Sequence, residues 1–207
     1  MAAAQSPSWQ SIAARKQKEI YDAIPSAWIV DKSLLVGHNL TDLPKKCPHI
    51  MSKEELFITE SRAVDILSQI RTRKWTSYQV TLAFCKRAAL AHQATNCLAL
   101  IMFDSALEEA KKLDAYMEKH GKPIGPLHGL PVSVKEHIYL ANTPATSGLI
   151  SWADAPSPHD ALICKIFRQA GAVFHVKTTN PQTLMALETH SNLFGRTSNP
   201  FNTSLTS

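Results

Sequence analysis

Along the first part of the chain, Trp9, Ile12, Ala13, Ile20 and Ile24 recur at near-helical spacing, with Ser8 placed to cap the start and Pro25 to stop the run. From there to about Ile50 the period disappears among Gly37, Pro44 and Pro48. So long an irregular stretch is uncommon inside a compact domain unless it wraps a larger body or mediates association. The pattern therefore predicts a helical arm and an extended wrapping segment over residues 1–50, followed by a distinct body over 51–207.

The body opens with Ser52 and Glu55 at capping-box spacing, and Ala63, Ile66, Leu67 and Ile70 mark one apolar helix face. After Trp75, a second face is drawn by Val80, Phe84, Ala88 and Ala91. The continuous apolar run Leu98–Phe103 suits a buried strand, after which Asp104 is placed to cap a helix reaching about His120, ended by Gly121 and Pro123. A short strand is expected at Val132–Val134. Beyond it Asp160 opens a helix with Leu162, Ile163, Ile166 and Phe167 inward, and Gly171 ends it before a strand at Ala172–Val176. Strands alternating with helices predict an α/β fold whose sheet is covered on both faces.

Composition narrows the class without changing this order. With 207 residues, 44% hydrophobic and 19% charged, the chain suits one soluble globular domain and not a disordered or fibrous one. The formal net charge of +5 is spread along the chain and interleaved with acidic residues, which argues for a solvated surface and against a nucleic-acid partner. Cys47, Cys85, Cys97 and Cys164 have no metal or disulfide-framework spacing and read as buried free thiols. Met1–Ser8 lack the charged start and apolar core of a leader, and no run approaches the ~18 apolar residues of a membrane span, so a cytoplasmic location and no membrane partner are expected. The nine histidines form no HxH, HExxH or HxxEH arrangement, so no metal site is expected.

The most informative segment is Pro126-Leu127-His128-Gly129-Leu130-Pro131-Val132-Ser133-Val134-Lys135-Glu136. Its prolines and β-branched residues set a backbone course that aims one amine at a defined point. Taken alone, a lysine ending a strand is more often a solvated surface charge. Ser133, two residues before it on the same strand face, is either a neighbour of the amine or a structural hydroxyl.

This segment resembles the amidase signature pattern around its catalytic lysine. Ala170–Thr178 is similar to the family's following strand, and Asn192–Pro200 to the stretch that leads into its glycine- and serine-rich loop. Thr76-Ser77, Val80–Ala88 and Pro181–Met185 resemble the fungal acetamidases in particular, as do Trp9 and Pro25–Trp28.

The resemblance implies the N-terminal portion of the amidase signature fold, a mixed β-sheet with helices on both faces. It also implies hydrolysis of a small amide to a carboxylate and ammonia by a Ser/cis-Ser/Lys triad, with no metal or organic cofactor. Lys135 matches the triad lysine, whose role is to sit neutral, take a proton through the bridging serine and return it to the leaving amine. That role requires burial or neighbouring donors to lower its pKa by several units from ~10.4. Leu184 falls where related enzymes set a residue against the substrate, core packing being the alternative. Lys177 and Arg196 are expected to fix loops through ion pairs.

Departures from the pattern are specific. Asn142 stands where many members have a glycine, a mild change because asparagine tolerates a left-handed backbone, and Glu136 replaces the commoner Asp. Ser207 falls where the Gly-Gly-Ser-Ser-Gly-Gly loop is expected to start, and Ser204 and Ser207 lack the glycines that would let backbone N–H groups approach an oxyanion. A chain of this extent is expected to expose strand edges and apolar faces and so to be poorly soluble or to recruit a partner, as a homo-oligomer or with a full-length relative. Two readings follow: an acetamidase-like amidase with Lys135 as its only triad residue in this sequence, or a catalytically inactive truncated homologue or interaction module.

Overall fold

The computed structural model describes residues 7–207, so the reading of Met1–Ser8 lies outside the described residues except at its last two positions. α1 (Trp9–Asp22) starts at Ser8, whose hydroxyl accepts the Ser11 N–H at 3.2 Å. The segment that follows is not uniformly extended. It carries short turns at Ser26–Trp28 and Lys32–Leu35 and the one-turn α2 (Leu43–Lys46). Val30, Leu43, Cys47, Ile50 and Met51 bury themselves against Leu90, so this segment clothes a helix of the body. Backbone bonds from Leu40 to Pro200 and from Thr203 to His38, both 2.9 Å, tie it to the far end of the chain.

α3 (Lys53–Glu60) begins with the anticipated capping box: Glu55 N–H reaches Ser52 Oγ at 3.2 Å and Ser52 N–H reaches the Glu55 carboxylate at 2.8 Å. α4 (Ala63–Arg71) buries Ile66 and Ile70. α5 (Ser77–Thr95) opens with a second box between Thr76 and Gln79 and is braced from α6 (Phe103–His120), whose Asp114 accepts the Ser77 and Tyr78 N–H groups at 2.6 and 2.9 Å. A carboxylate there also opposes the positive end of the helix dipole. The single face expected for α5 is too narrow. Val80, Thr81, Ala83, Cys85, Ala89, Leu90, His92 and Thr95 are buried and Ala91 is exposed, because this central helix is covered on most sides.

Two capping expectations are corrected. β1 (Leu98–Ile101) is shorter than the apolar run, for Met102 caps α6 and Phe103 begins it, leaving Asp104 inside the first turn. Asp160 likewise caps nothing. Its carboxylate accepts the Ala141 N–H at 2.7 Å and pairs with Arg168 at 2.8 Å, while Ala161 caps α7 (Leu162–Gln169). The face of α7 is corrected as well: Leu162, Ile163 and Ile166 point to solvent, and Cys164 and Phe167 meet the sheet.

The sheet has strand order β1-β3-β2, with β2 (Pro131–Lys135) parallel and β1 antiparallel to the central β3 (Val173–Thr178). A small ribbon of β4 (His190–Ser191) and β5 (Gly195–Arg196) lies beyond. Between β2 and β3, Val132 pairs with Phe174 but Ser133 pairs with Val176, leaving His175 as the extra residue of a bulge. A bulge reverses the alternation beyond it. Val132, Val134 and Phe174 therefore pack beneath α7 with Leu140 and Cys164, while Val176 packs with Ile20, Cys85, Leu193 and Phe194 on the other face. Helices thus cover both faces of a mixed sheet.

The glycines of the informative segment serve close approach. Gly129 has φ +77°, and a Cβ there would lie 2.3 Å from Ser77 Oγ; Gly171 has φ +92°, and its Cβ would lie 2.8 Å from His128 Cα. Only glycine accepts both the left-handed backbone and the contact. Leu127 and Gly129 can then donate to the Ala170 and Gly171 carbonyls at 2.8 Å, which starts β2 in register.

Candidate active site

In α/β sheets, ligands gather beyond the carboxyl ends of parallel strands. Lys135 is the last residue of β2 and pairs with Thr178, the last of β3. The following Glu136 N–H donates to the Thr178 carbonyl at 2.9 Å, so both chains leave the sheet together. Beyond β3, Thr179 donates to the Cys97 carbonyl, and its hydroxyl meets that of Thr197 at 2.7 Å. The three blocks singled out in the sequence therefore converge at one end of the sheet.

Ser133 and Lys135 are both exposed on the side of the strand shared with Val176 and Thr178. Lys135 thus stands open to solvent among the described residues. The buried charges lie next to it. Glu136 is 2% exposed, and its carboxylate accepts the N–H groups of Thr146 and Ser147 at 2.6 and 2.9 Å. Lys177 is fully buried and donates to the Pro144 carbonyl at 2.5 Å, a backbone partner in place of the expected ion pair. Burial pushes its amine down to about 8, and the Glu136 charge opposes the shift. Both side chains line a cavity of about 100 Å³ that reaches Ile20 and Phe194.

The loop held by these charges is itself a joint. Asn142 enters it at φ +64°, the left-handed backbone anticipated where the family pattern has glycine. Ser147, at φ +51°, gives its N–H to Glu136 and accepts the Thr183 N–H at 2.8 Å. Thr183 and Leu184 follow at φ +57° and +61° in a short turn over Gln182–Leu184. Leu184 is 36% exposed, with Met185 and Leu187 more exposed beside it. Asn180, between β3 and this turn, is 1% exposed, and its Oδ1 has no partner among the described residues. Arg196 does form the expected ion pair, with Glu188 at 2.6 Å, and also donates to the Leu205 carbonyl. Ser204 donates to Asn202 Oδ1.

The local sequence points to Lys135 and Leu184 but not to the Glu136 and Lys177 grip that links their loops. The available signal was a pair of charges set in or just beyond apolar strands.

The cysteines are free, with Cys47, Cys85 and Cys164 buried and Cys97 only partly so. Burial raises the Cys85 thiol to about 12, which keeps it a packing residue. No helix among the described residues is long and apolar enough to cross a membrane.

The mixed sheet covered by helices on both faces sets the fold class as α/β. Within it, the sequence profile of the Amidase family matches residues 79–207, and the chain belongs to that family. It is 45% identical to an acetamidase of Emericella nidulans over 94% of its length and 44% identical to an acetamidase of Aspergillus oryzae over 97%. Among solved structures, a fatty acid amide hydrolase superposes with a TM-score of 0.87 at 33% identity over 94% of this chain. A peptide amidase from Stenotrophomonas maltophilia superposes at 0.64 and 25% identity over 70%. The chain spans 35% of the Emericella protein, 36% of the Aspergillus protein and 35% of the fatty acid amide hydrolase.

Proposed function

We propose that this chain carries the lysine of an acetamidase-like amidase that hydrolyses a small carboxamide to a carboxylate and ammonia. The observation that carries this reading is the place of Lys135, at the carboxyl end of a parallel strand where three family blocks meet. In the proposed Ser/cis-Ser/Lys relay, a serine oxygen attacks the amide carbonyl and its proton passes through the bridging serine to the Lys135 amine. The same proton then goes to the departing nitrogen, and water releases the acyl group. Leu184, on its exposed turn, is proposed to contact the substrate. The relatives named acetamidase support a short acyl group, and the free thiols support a cytoplasmic setting.

A second reading is supported by the exposure of Lys135 and of the outer face of α7. In it the chain is catalytically inactive and serves as an interaction module, associating with a second copy or a full-length relative.

The deciding experiment is ammonia release from acetamide and longer amides by the purified chain, beside Lys135→Ala. Turnover abolished by the substitution would support the catalytic reading and would mean that another serine or a partner chain completes the site. A folded sample with no turnover would overturn the catalytic reading for this polypeptide and favour the second.

A further inference from the structure

Buried charges are seldom placed on two adjacent strand ends without a common object, because each loses its hydration. Glu136 and Lys177 share one. The carboxylate receives two N–H groups of the loop, from Thr146 and Ser147, and the ammonium donates to the carbonyl of Pro144 in the same loop. Opposite charges thus hold opposite backbone dipoles of one short segment, and each is anchored to the sheet: Lys177 within β3, and Glu136 through its N–H on Thr178. The loop is pressed on its far side as well. A Cβ at Gly148 would lie 2.9 Å from Ser191 Cβ and 3.0 Å from Gln182 Cα, so the loop packs directly on the turn that carries Leu184. Ser147 completes the connection by accepting the Thr183 N–H.

We infer that Glu136 and Lys177 are paired positioning residues, which hold the Pro144–Gly148 loop from both polarities and thereby set the Leu184 turn relative to Lys135. Neither touches the reacting atoms. They act through Ser147 and Thr183 on the residue proposed to face the substrate, so their catalytic meaning rests on the amidase reading, whereas the mechanical link does not. An isolated grip on the loop would leave Thr183 indifferent to Glu136. The shared Ser147 makes the two respond together.

The test is residue-resolved amide hydrogen exchange on the whole chain, comparing the unsubstituted protein with Glu136→Gln and Lys177→Met. Amide hydrolysis is measured in parallel. Exchange at Thr146, Ser147 and Thr183 is expected to quicken about tenfold or more in Glu136→Gln, the factor expected for loss of one hydrogen bond of ordinary strength, while the Met102 amide changes far less. Glu136→Gln keeps the side-chain volume and carries the test alone if Lys177→Met does not fold. In an active preparation, Glu136→Gln raises KM several-fold with kcat within about twofold, whereas Lys135→Ala removes kcat. Unchanged exchange at Thr183, or quickening spread evenly over the sheet, would overturn the inference whatever the activity, as would an unmoved KM in an active protein. The exchange pattern without turnover in any preparation would instead sink the amidase reading and leave the link standing.

Discussion

The Thr183 N–H donates to the Ser147 carbonyl at 2.8 Å, and that bond joins the loop after β2 to the turn after β3. Because Ser147 is itself held by Glu136, the end of one strand fixes the exit of its neighbour.

Lys177 makes alkaline pH a probe of this region. Its folded pKa of about 8 lies below the ordinary lysine value, so between about pH 8 and 10.5 the unfolded chain holds the extra proton and stability rises with pH. As pH falls through 8 that gain is lost, because the buried amine must take up charge. Urea unfolding of the wild type and Lys177→Met across this window is expected to differ in slope, with a total change on the order of 3 kcal/mol. Parallel curves would contradict it.

His92 and His175 act in the acid range. Both are buried and held near 4 by desolvation, while His92 Nδ1 accepts the Leu98 N–H at 3.1 Å and His175 Nδ1 pairs with the Val132 carbonyl at 3.2 Å. Below pH 6.5 the unfolded chain protonates first, so stability falls as pH drops towards 4. Each histidine is expected to contribute a loss of about 2 kcal/mol between pH 6.5 and 5. Replacing His92 with Gln is expected to flatten that part of the pH-stability curve, read from denaturant midpoints.

Gly129→Ala adds a methyl group 2.3 Å from Ser77 Oγ at φ +77°. A loss of roughly 3 kcal/mol is expected, combining backbone strain with overpacking. Gly37→Ala is the control, since Gly37 has φ +122° with nothing within 4 Å and isolates the strain. Calorimetric melting that ranks Gly37→Ala at or above Gly129→Ala would refute the packing account.

The two sides of α7 are expected to separate stability from association. Leu162→Gln and Ile166→Gln remove exposed apolar surface and change stability by less than about 0.5 kcal/mol, while lowering dye binding and light scattering. Phe167→Ala, on the sheet side, is expected to cost about 3 kcal/mol.

Several features were legible because they are decided within a few residues. The Ser52 and Glu55 box, the left-handed Asn142 and the strand ending at Lys135 each follow from local hydrogen bonding, backbone sterics and side-chain alternation. The apolar stripe of α7 was legible too, but not its orientation, because periodicity locates a stripe and leaves the edge that meets the sheet to residues such as Val134 and Phe174.

By itself, then, the sequence determined the alternation of helices and strands from α3 to β3, the family and the lysine that ends β2. Only the tertiary structure decided that His175 bulges and that Lys135 stays exposed while Glu136 and Lys177 are buried on one loop. Register and charge burial depend on partners distant in sequence, such as Ser133 with Val176 and Lys177 with Pro144, and no local propensity encodes which of them will meet.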